Sequence, residues 1–491
     1  MRCPSLFLLV LLLSSLWIFQ ACQSPDESKA TNANYERPRL PDWHKNANIY
    51  EVNIRQYSPE GNFAGLEKQL DRLSKMGVDI LWLMPIHPVS KVKRKGGLGS
   101  PYAVGDYKDV NPDFGNMDDF RRLLNRIHEL GMYCILDWVP NHSGWDNPWI
   151  SEHPDWYTKD STGNITDPLN PNTGQSWGWT DVADFNYDNP DMRQGMIDAM
   201  KFWVEDVGID GFRMDVAHSV PQSFWDTCTQ QLYQIKPLFL LAEAESPELR
   251  NKGYFVMDYG WEMHHLLNDI ARANGAVKGE TKKLEQGNVV EGDQEEVRQV
   301  NALDIDQLLT HKDSLYQKGY AMHFTSNHDE NAWAGTVFQR MGDAHLAFAV
   351  LTATFDGMPL IYGGMESAMD KQLAFFEKDT ISWGEYSYER FYRTLFELKH
   401  RNQGLWNGEA GGPLTKIATG ADDKVYAFMR EKNGDQVIVA INLSGEKQNI
   451  RLQSDRINGE YTEVFNNFKL QMINGQEFQL EPWTYRVFSN K

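Results

Sequence analysis

From about residue 48 to 400, short runs of consecutive apolar residues alternate with segments whose apolar positions recur every three or four residues. The runs Asn48–Asn53, Val78–Pro85, Tyr133–Val139, Gly208–Val216, Leu238–Ala244, Tyr254–Asp258, Ala321–Ser326 and Pro359–Tyr362 predict eight strands. Phe63–Met76, Met117–Leu130 and Met192–Val207 predict amphipathic helices between them. A strand that is apolar on both faces needs cover on both, which parallel sheets obtain from their crossover helices. Eight such strands separated by helices predict an α/β fold, a closed (β/α)8 TIM barrel. A doubly wound open sheet gives the same alternation. No Gly-rich phosphate loop follows any of the strands, which counts against its nucleotide-binding versions.

Two segments break the rhythm. Residues 142–186 are polar and rich in Pro, Gly and Trp, and predict a small domain inserted after strand three. Gly275–Asp313 is charged and helical in pattern, a solvated excursion between strands six and seven. The barrel is therefore expected over 46–405. Beyond Gly411 the helical period stops, and Val425–Arg430, Gln436–Asn442, Tyr461–Glu463 and Trp483–Phe488 predict an antiparallel β-sandwich over 411–491.

At the N-terminus, Arg2 precedes an apolar run of 14 residues, Leu6–Phe19, too short for a membrane-spanning helix. Residues 1–21 read as an export signal. Phe19-Gln20-Ala21-Cys22 resembles a bacterial lipoprotein signal, which implies acylation of Cys22 and a lipid anchor to the membrane, at the periplasmic face or cell surface. Secretion without an anchor is the alternative. Residues 22–45 are polar, as a tether between anchor and domain would be. Cys134 and Cys228 lie in apolar segments and read as buried thiols, and no cysteine spacing suits a metal. The formal charge of −20 repels a phosphate backbone and argues against a nucleic-acid partner. A neutral, hydroxyl-rich ligand suits that charge, and 16 Trp and 20 Tyr suit such a ligand or a large core equally.

Polarity concentrates where the predicted strands end. Strand three ends in Asp137-Trp138-Val139-Pro140-Asn141-His142, strand four in Gly211-Phe212-Arg213-Met214-Asp215-Val216-Ala217-His218, strand five in Leu241-Ala242-Glu243-Ala244-Glu245, and strand seven in Ser326-Asn327-His328-Asp329. One polar strand end is an ordinary loop cap. Four that together offer Asp, Arg, Glu and His at the active face of a barrel point to chemistry. Glycoside hydrolysis needs one ionised carboxylate and one protonated carboxyl. Arg213 and Asp215 share a strand face, so the guanidinium is expected to keep Asp215 ionised. The acid should come from another strand, and both Glu243 and Glu245 qualify.

These stretches resemble the motif regions of the α-amylase family of retaining α-glycosidases, glycoside hydrolase family 13. Val182-Ala183-Asp184-Phe185-Asn186 resembles the motif that closes its inserted domain, and Gly357 to Glu366 its eighth strand. The resemblance covers about residues 46–490. It implies Asp215 as nucleophile, Glu243 as acid/base and Asp329 as the third carboxylate. It further implies that His142 and His328 bind the sugar, Arg213 orients Asp215, Tyr102 stacks on the sugar and Asp106 supports the site from beneath. A structural Ca²⁺ held by Asn141, Asp184 and the carbonyl of His218 belongs to the same implication, and the oxygen ligands suit that ion. No organic cofactor is expected.

The implied activity is hydrolysis of α-1,4 bonds in starch-like glucans or maltooligosaccharides. Gly99 stands three before Tyr102, where exo-acting members often carry an acidic residue, so an open, endo-acting cleft is the expectation. An α-glucosidase, a cyclomaltodextrinase or a transglycosylase is the alternative within the family. A catalytically inactive glucan-binding protein is the alternative outside it. Five Trp, at 145, 149, 156, 177 and 179, fall in the inserted segment, for packing or for stacking on sugar rings.

Overall fold

Eight parallel strands pair in chain order around a closed ring: β1 (Ile49–Val52), β2 (Ile80–Leu83), β3 (Tyr133–Trp138), β4 (Gly211–Met214), β5 (Phe239–Ala242), β6 (Met257–Tyr259), β7 (Tyr320–Phe324) and β8 (Met358–Tyr362). Ile49 pairs with Ile80 on one side and Leu360 on the other, which closes the barrel. The computed structural model describes residues 40–170, 173–277, 284–285, 288–289 and 298–491. Among the described residues no helix is long and apolar enough to cross a membrane.

Strand alternation builds the interior in layers. Ile49, Ile80, Ile135, Leu241, Met257, Met322 and Leu360 fill it with apolar side chains. Two residues further along, the same face carries Glu51, Trp82, Asp137 and Arg213, all fully buried, so the barrel changes from apolar to ionic within one residue pair. Gly211 permits the tight β4–β5 pairing there, since a Cβ on it would lie 1.8 Å from the Phe239 carbonyl oxygen. Buried Leu, Phe, Met and Trp side chains pack between strands and helices in a second, larger core.

The expected elements are present with local differences. Phe63–Met76 is two helices, Phe63–Glu67 and Leu70–Met76. The third predicted helix runs Pro190–Phe202 and ends in one wide turn, Trp203–Val207, stopped by Gly208 in the left-handed region. Strand six starts at Met257, not Tyr254. The excursion contains the helix Ala302–Leu315, while most of 278–297 lies outside the described residues. The inserted segment is tied by the antiparallel pair His142–Gly144 and Val182–Asp184. In the C-terminal domain, a six-stranded antiparallel sheet faces a two-stranded one, Gln448–Leu452 with Gln476–Leu480, over a separate apolar core. Arg430 fastens it to the barrel, through the carbonyls of Gly412 and Trp406 and the carboxylate of Asp356. Cys134 and Cys228 are free, buried thiols.

The expected signal, the acylation site Cys22 and most of the tether lie outside the described residues. The end of that tether, however, is folded. Asp42–Lys45 forms a short helical turn under the barrel, where Trp43 stacks on Tyr133 at 4.1 Å and His44 Nδ1 meets the Tyr320 hydroxyl at 3.0 Å. A polar composition hides one indole that closes the floor. Trp43→Ala should therefore cost about 2 kcal/mol, less than a fully buried aromatic because Trp43 is half-buried. Thermal unfolding should show a melting temperature lower by a few degrees, with kcat unchanged because the floor is remote from the strand ends.

Candidate active site

The C-terminal ends of the strands open into a cleft of about 890 Å³. Arg213 sits at its base with no exposure to solvent. Its Nη1 lies 2.8 Å from both Asp137 Oδ1 and Asp215 Oδ1, its Nη2 2.8 Å from Glu243 Oε1, and its Nε donates to the Tyr259 hydroxyl at 3.1 Å. One guanidinium therefore joins three carboxylates from three adjacent strands. A planar, five-donor cation suits this, and its charge offsets what would otherwise be strong repulsion.

A second chain of contacts runs across the barrel mouth. His328 Nδ1 is bonded to Glu51, and its Nε2 meets the Tyr102 hydroxyl at 2.8 Å. The Tyr102 hydroxyl donates to Asp137 Oδ2 at 3.0 Å, an atom that also receives the Trp82 Nε1–H at 3.1 Å. The Tyr102 ring stacks with those of His328 and Phe375. Tyr102, His142, Asp215, Glu243, His328 and Asp329 all line the cleft.

Burial disfavours a charged His328, but the carboxylates of Asp329 and Glu51 outweigh it and push the imidazole up to about 9. His142 is the opposite case, since burial brings it down to about 4 and leaves a neutral ring. Asp137 is pushed up to about 6 by burial, against the pull of Arg213. Burial likewise raises Asp215 well above the carboxylate range, and the charge of Glu243 adds to it. Burial also works against an ionised Glu243, yet Arg213 and the Val216 N–H, which donates at 2.7 Å, hold it below its ordinary value. Arg213 does pull Asp215 toward the ionised form, as expected, but burial and the charge of Glu243 act against it. Asp215 and Glu243 titrate as a pair, with burial opposing charge on both and Arg213 favouring it.

The Val216 N–H is aimed by an unusual backbone. Val216 has φ 37° and ψ 45°, a left-handed conformation that a β-branched residue adopts only under constraint.

The alternatives left open at strand five separate clearly. Glu243 faces the cleft, whereas Glu245 turns away to Lys312 at 2.8 Å and caps the Glu262 N–H. Asp106 is a correction. It does not line the cleft, and its Oδ1 accepts the Lys108 N–H at 2.8 Å in a local turn. The inward position beside it belongs to Tyr107, whose hydroxyl bonds the carbonyls of Val139 and His142. Support from beneath comes instead from Glu51, Trp82, Asp137 and Tyr259. A Glu inside the apolar run Ile49–Val52 is the available signal for the first of these. Among the five Trp, Trp179 lines the cleft with Trp177 stacked on it at 6.0 Å, while Trp149 and Trp156 pack inward.

Asn141 and Asp184 are neighbours, since the Asn141 carbonyl accepts the Phe185 N–H and His142 pairs with Asp184. His218 is exposed beside Glu243, its Nδ1 3.5 Å from the Glu243 carbonyl. The three offer one carboxylate, one amide oxygen and one carbonyl, against the six to eight oxygens that calcium takes. Among the described residues no group of three or more His, Cys, Asp and Glu gathers as a metal site. These three alone supply fewer oxygens than a calcium ion takes.

A barrel whose strand ends carry this ionic cluster, with a domain inserted after β3 and a sandwich behind, defines the class. The chain belongs to the α-amylase family: the model of the α-amylase catalytic domain matches residues 25–436, and that of the maltogenic amylase C-terminal domain matches 417–487. It is similar to alpha-amylase 3 of Dictyoglomus thermophilum, 32% identical over 238 residues, 43% of this chain and 46% of the relative. It is also similar to the oligo-1,6-glucosidase of Parageobacillus thermoglucosidasius, 26% identical over 381 residues, 67% of this chain and 66% of the relative. The chain thus spans about half to two thirds of the length of these relatives. Among solved structures it resembles the maltogenic α-amylase AmyB of Thermotoga neapolitana, with a TM-score of 0.76 and 27% identity, covering 90% of this chain and 98% of that one.

The His328 network sets a test. A group raised to about 9 from an unfolded value near 6.5 contributes stability that is fully present below about 6.5 and lost as pH rises through about 9. Glu51→Gln removes one of the two charges that raise it. The His328 titration followed by NMR should then move down by about one unit, and the alkaline loss of stability should begin at lower pH.

Proposed function

We propose that this protein is a retaining α-glycoside hydrolase acting on α-1,4-linked glucans or maltooligosaccharides. What carries the reading is the single guanidinium of Arg213 held between Asp215 and Glu243, two carboxyls from adjacent strands at one cleft. A sugar ring stacked on Tyr102 would offer its hydroxyls to His142, His328 and Asp329 and its anomeric carbon to Asp215. A neutral His142 can accept as well as donate, while the charged His328 can only donate.

The chemistry needs Asp215 ionised and Glu243 protonated, against the direction in which their surroundings push the two groups. Moving one proton between them leaves the net charge around Arg213 unchanged, and the bound substrate must supply the rest. A glycosidic oxygen against Glu243 rewards the protonated form with a hydrogen bond, and the electron-poor anomeric carbon rewards the ionised Asp215. Asp215 then forms a bond to that carbon while the glycosidic oxygen departs with the Glu243 proton. In the second half, Glu243 takes a proton from water, whose oxygen displaces Asp215 and restores the starting configuration at carbon.

A glucan-binding protein without catalysis would have no use for this arrangement, and all three carboxylates face the cleft or its rim. Relatives that bear the names amylase, oligo-1,6-glucosidase and maltosyltransferase support the substrate class, and an α-1,4 preference is our reading among them. We further propose export and lipid anchoring through Cys22, on the residues of its signal alone.

Asp215→Ala should lower turnover of maltoheptaose on the order of 10⁴-fold or more, since no covalent intermediate can form. Glu243→Gln should lose starch cleavage but keep glycosylation by α-glucosyl fluoride, whose leaving group needs no proton. The glycosyl-enzyme should then accumulate on Asp215 and be visible by mass spectrometry. Equal loss on both substrates without an adduct would remove Glu243 from the acid/base role.

Cys22→Ala should release the full-length protein from the membrane fraction, because the acyl chains supply about 0.8 kcal/mol per buried CH₂. Unchanged fractionation would exclude that anchor.

A further inference from the structure

Two elements of the barrel mouth lie diametrically opposite each other. In the ring order β1-β8-β7-β6-β5-β4-β3-β2, the strands of Asp215 and Glu243 face β8 and β1. A substrate with its scissile oxygen at Glu243 extends its leaving group past β4 and β5. With the leaving group on that side, the sugars on the non-reducing side of the cut would run toward β8 and β1, where the loop after β8 meets the loop after β2, the neighbour of β1. That half of the mouth is crossed by a strap.

The strap is residues 91–99, in the loop that follows β2. On one side Lys95 Nζ reaches the inserted domain, 3.0 Å from Asp181 Oδ1 and 3.0 Å from the Gly178 carbonyl, and the Lys91 N–H donates to Asp146 at 2.7 Å. On the other side the Gly97 N–H donates to Glu377 Oε1 at 2.7 Å and the Leu98 N–H to the Phe376 carbonyl at 2.9 Å. Below, Arg55 holds the carbonyls of Gly99 and Leu98. The approach to the β8 loop is close, since a Cβ on Gly96 would lie 2.5 Å from Phe376 Cβ and one on Gly97 would have to displace the Glu377 carboxylate, 2.4 Å away. Asp181 is only 7% exposed, so losing Lys95 would strand a nearly buried charge, which fixes that seat. Lys95, Gly96, Gly178, Asp181, Phe376 and Glu377 all line the cleft. The strap is thus a wall of the site and not a remote surface loop. Its Lys95–Gly178 bond also holds the turn between Trp177 and Trp179, whose stacked rings form the adjoining rim beside His142.

We propose that the strap closes the non-reducing side of the cleft and makes the enzyme a chain-end cutter that releases short products, with Lys95 and Glu377 as its specificity-determining residues. This rests on the hydrolase reading above and opposes the open, endo-acting cleft expected from Gly99. The β8-side anchor at Glu377 and the inserted-domain anchor at Asp181 do the closing that an acidic residue at position 99 would otherwise do.

The test compares p-nitrophenyl α-maltoheptaoside with the same compound capped by a 4,6-O-ethylidene group on its non-reducing glucose, products being separated by chromatography. The wild-type chain should cleave the capped compound at least tenfold more slowly, and its first products from the uncapped one should be glucose or maltose. Lys95→Ala/Glu377→Ala should raise the capped-to-uncapped ratio at least fivefold. Equal cleavage of both compounds by the wild type would overturn the proposal, as would an unchanged ratio in a double variant with wild-type circular dichroism. If the double variant does not fold, the wild-type comparison alone decides. No cleavage of the uncapped compound would overturn the hydrolase reading itself, a result distinct from either.

Discussion

A guanidinium withdrawn wholly from water is tolerable only where acceptors surround it and opposite charge lies in contact. Arg213 meets that condition with Asp137, Asp215, Glu243 and the Tyr259 hydroxyl. The converse holds as well. Three carboxylates within reach of each other in a buried barrel mouth would repel one another and take up protons without a cation between them. Each side of the cluster is a condition for the other. Removing the cation would leave several buried anions uncompensated, which is more costly than removing a peripheral partner. The barrel provides the means, since adjacent parallel strands put their inward side chains at one level, and the β3–β4–β5 pairings fix Asp137 beside Arg213.

The same cluster explains why the site is reactive and not merely stable. A cation shared three ways stabilises each anion only in part, so burial retains a proton within the pair of Asp215 and Glu243. Two carboxyls joined to one guanidinium can exchange a proton without a change of net charge. The Glu51–His328–Tyr102–Asp137 chain works differently. Its fixed charge on His328 keeps the Tyr102 ring in place, because the hydroxyl is held from both sides. One half of the mouth is thus adjustable in protonation, and the other is rigid in geometry.

Much of this is legible in the order of the residues alone. The eight apolar runs locate the barrel because burial on both faces leaves no polar alternation to confuse the reading. Asp215, Glu243, Asp329, His142 and His328 stand in strand-end motifs, and the structure brings all of them to one cleft. What the sequence conceals is relational. Glu51 looks like an isolated polar residue in β1, and only closure of the barrel between β1 and β8 brings it to His328, which follows β7. Asp106 looks inward by proximity to Tyr102, yet a local turn takes its carboxylate and Tyr107 takes the inward place. Trp43 is hidden in a polar stretch, since a single indole does not shift composition. The burial that raises Asp215 belongs to the closed barrel mouth, which no pairwise spacing reports.

The residues proposed to carry the chemistry and those proposed to shape the cleft differ in how they are held. Asp215 and Glu243 stand at strand ends fixed by backbone ladders, and a sequence change in a loop barely moves them. Lys95 and Glu377 lie on loops after β2 and β8 that meet through hydrogen bonds from Gly97 and Leu98, and one ion pair, Lys95 with Asp181, ties the strap to the inserted domain. Such contacts are individually weak, yet they act together because Gly96 lets the strap lie against the Phe376 side chain, where an added Cβ would meet it at 2.5 Å. A single residue larger than glycine in that stretch would push the strap away from Phe376 and Glu377 without disturbing Arg213 or its carboxylates. Cleft length and bond-breaking chemistry can therefore vary separately on this scaffold. That separation gives a physical basis for the mixture of amylase, glucosidase and maltosyltransferase names among proteins with similar barrels.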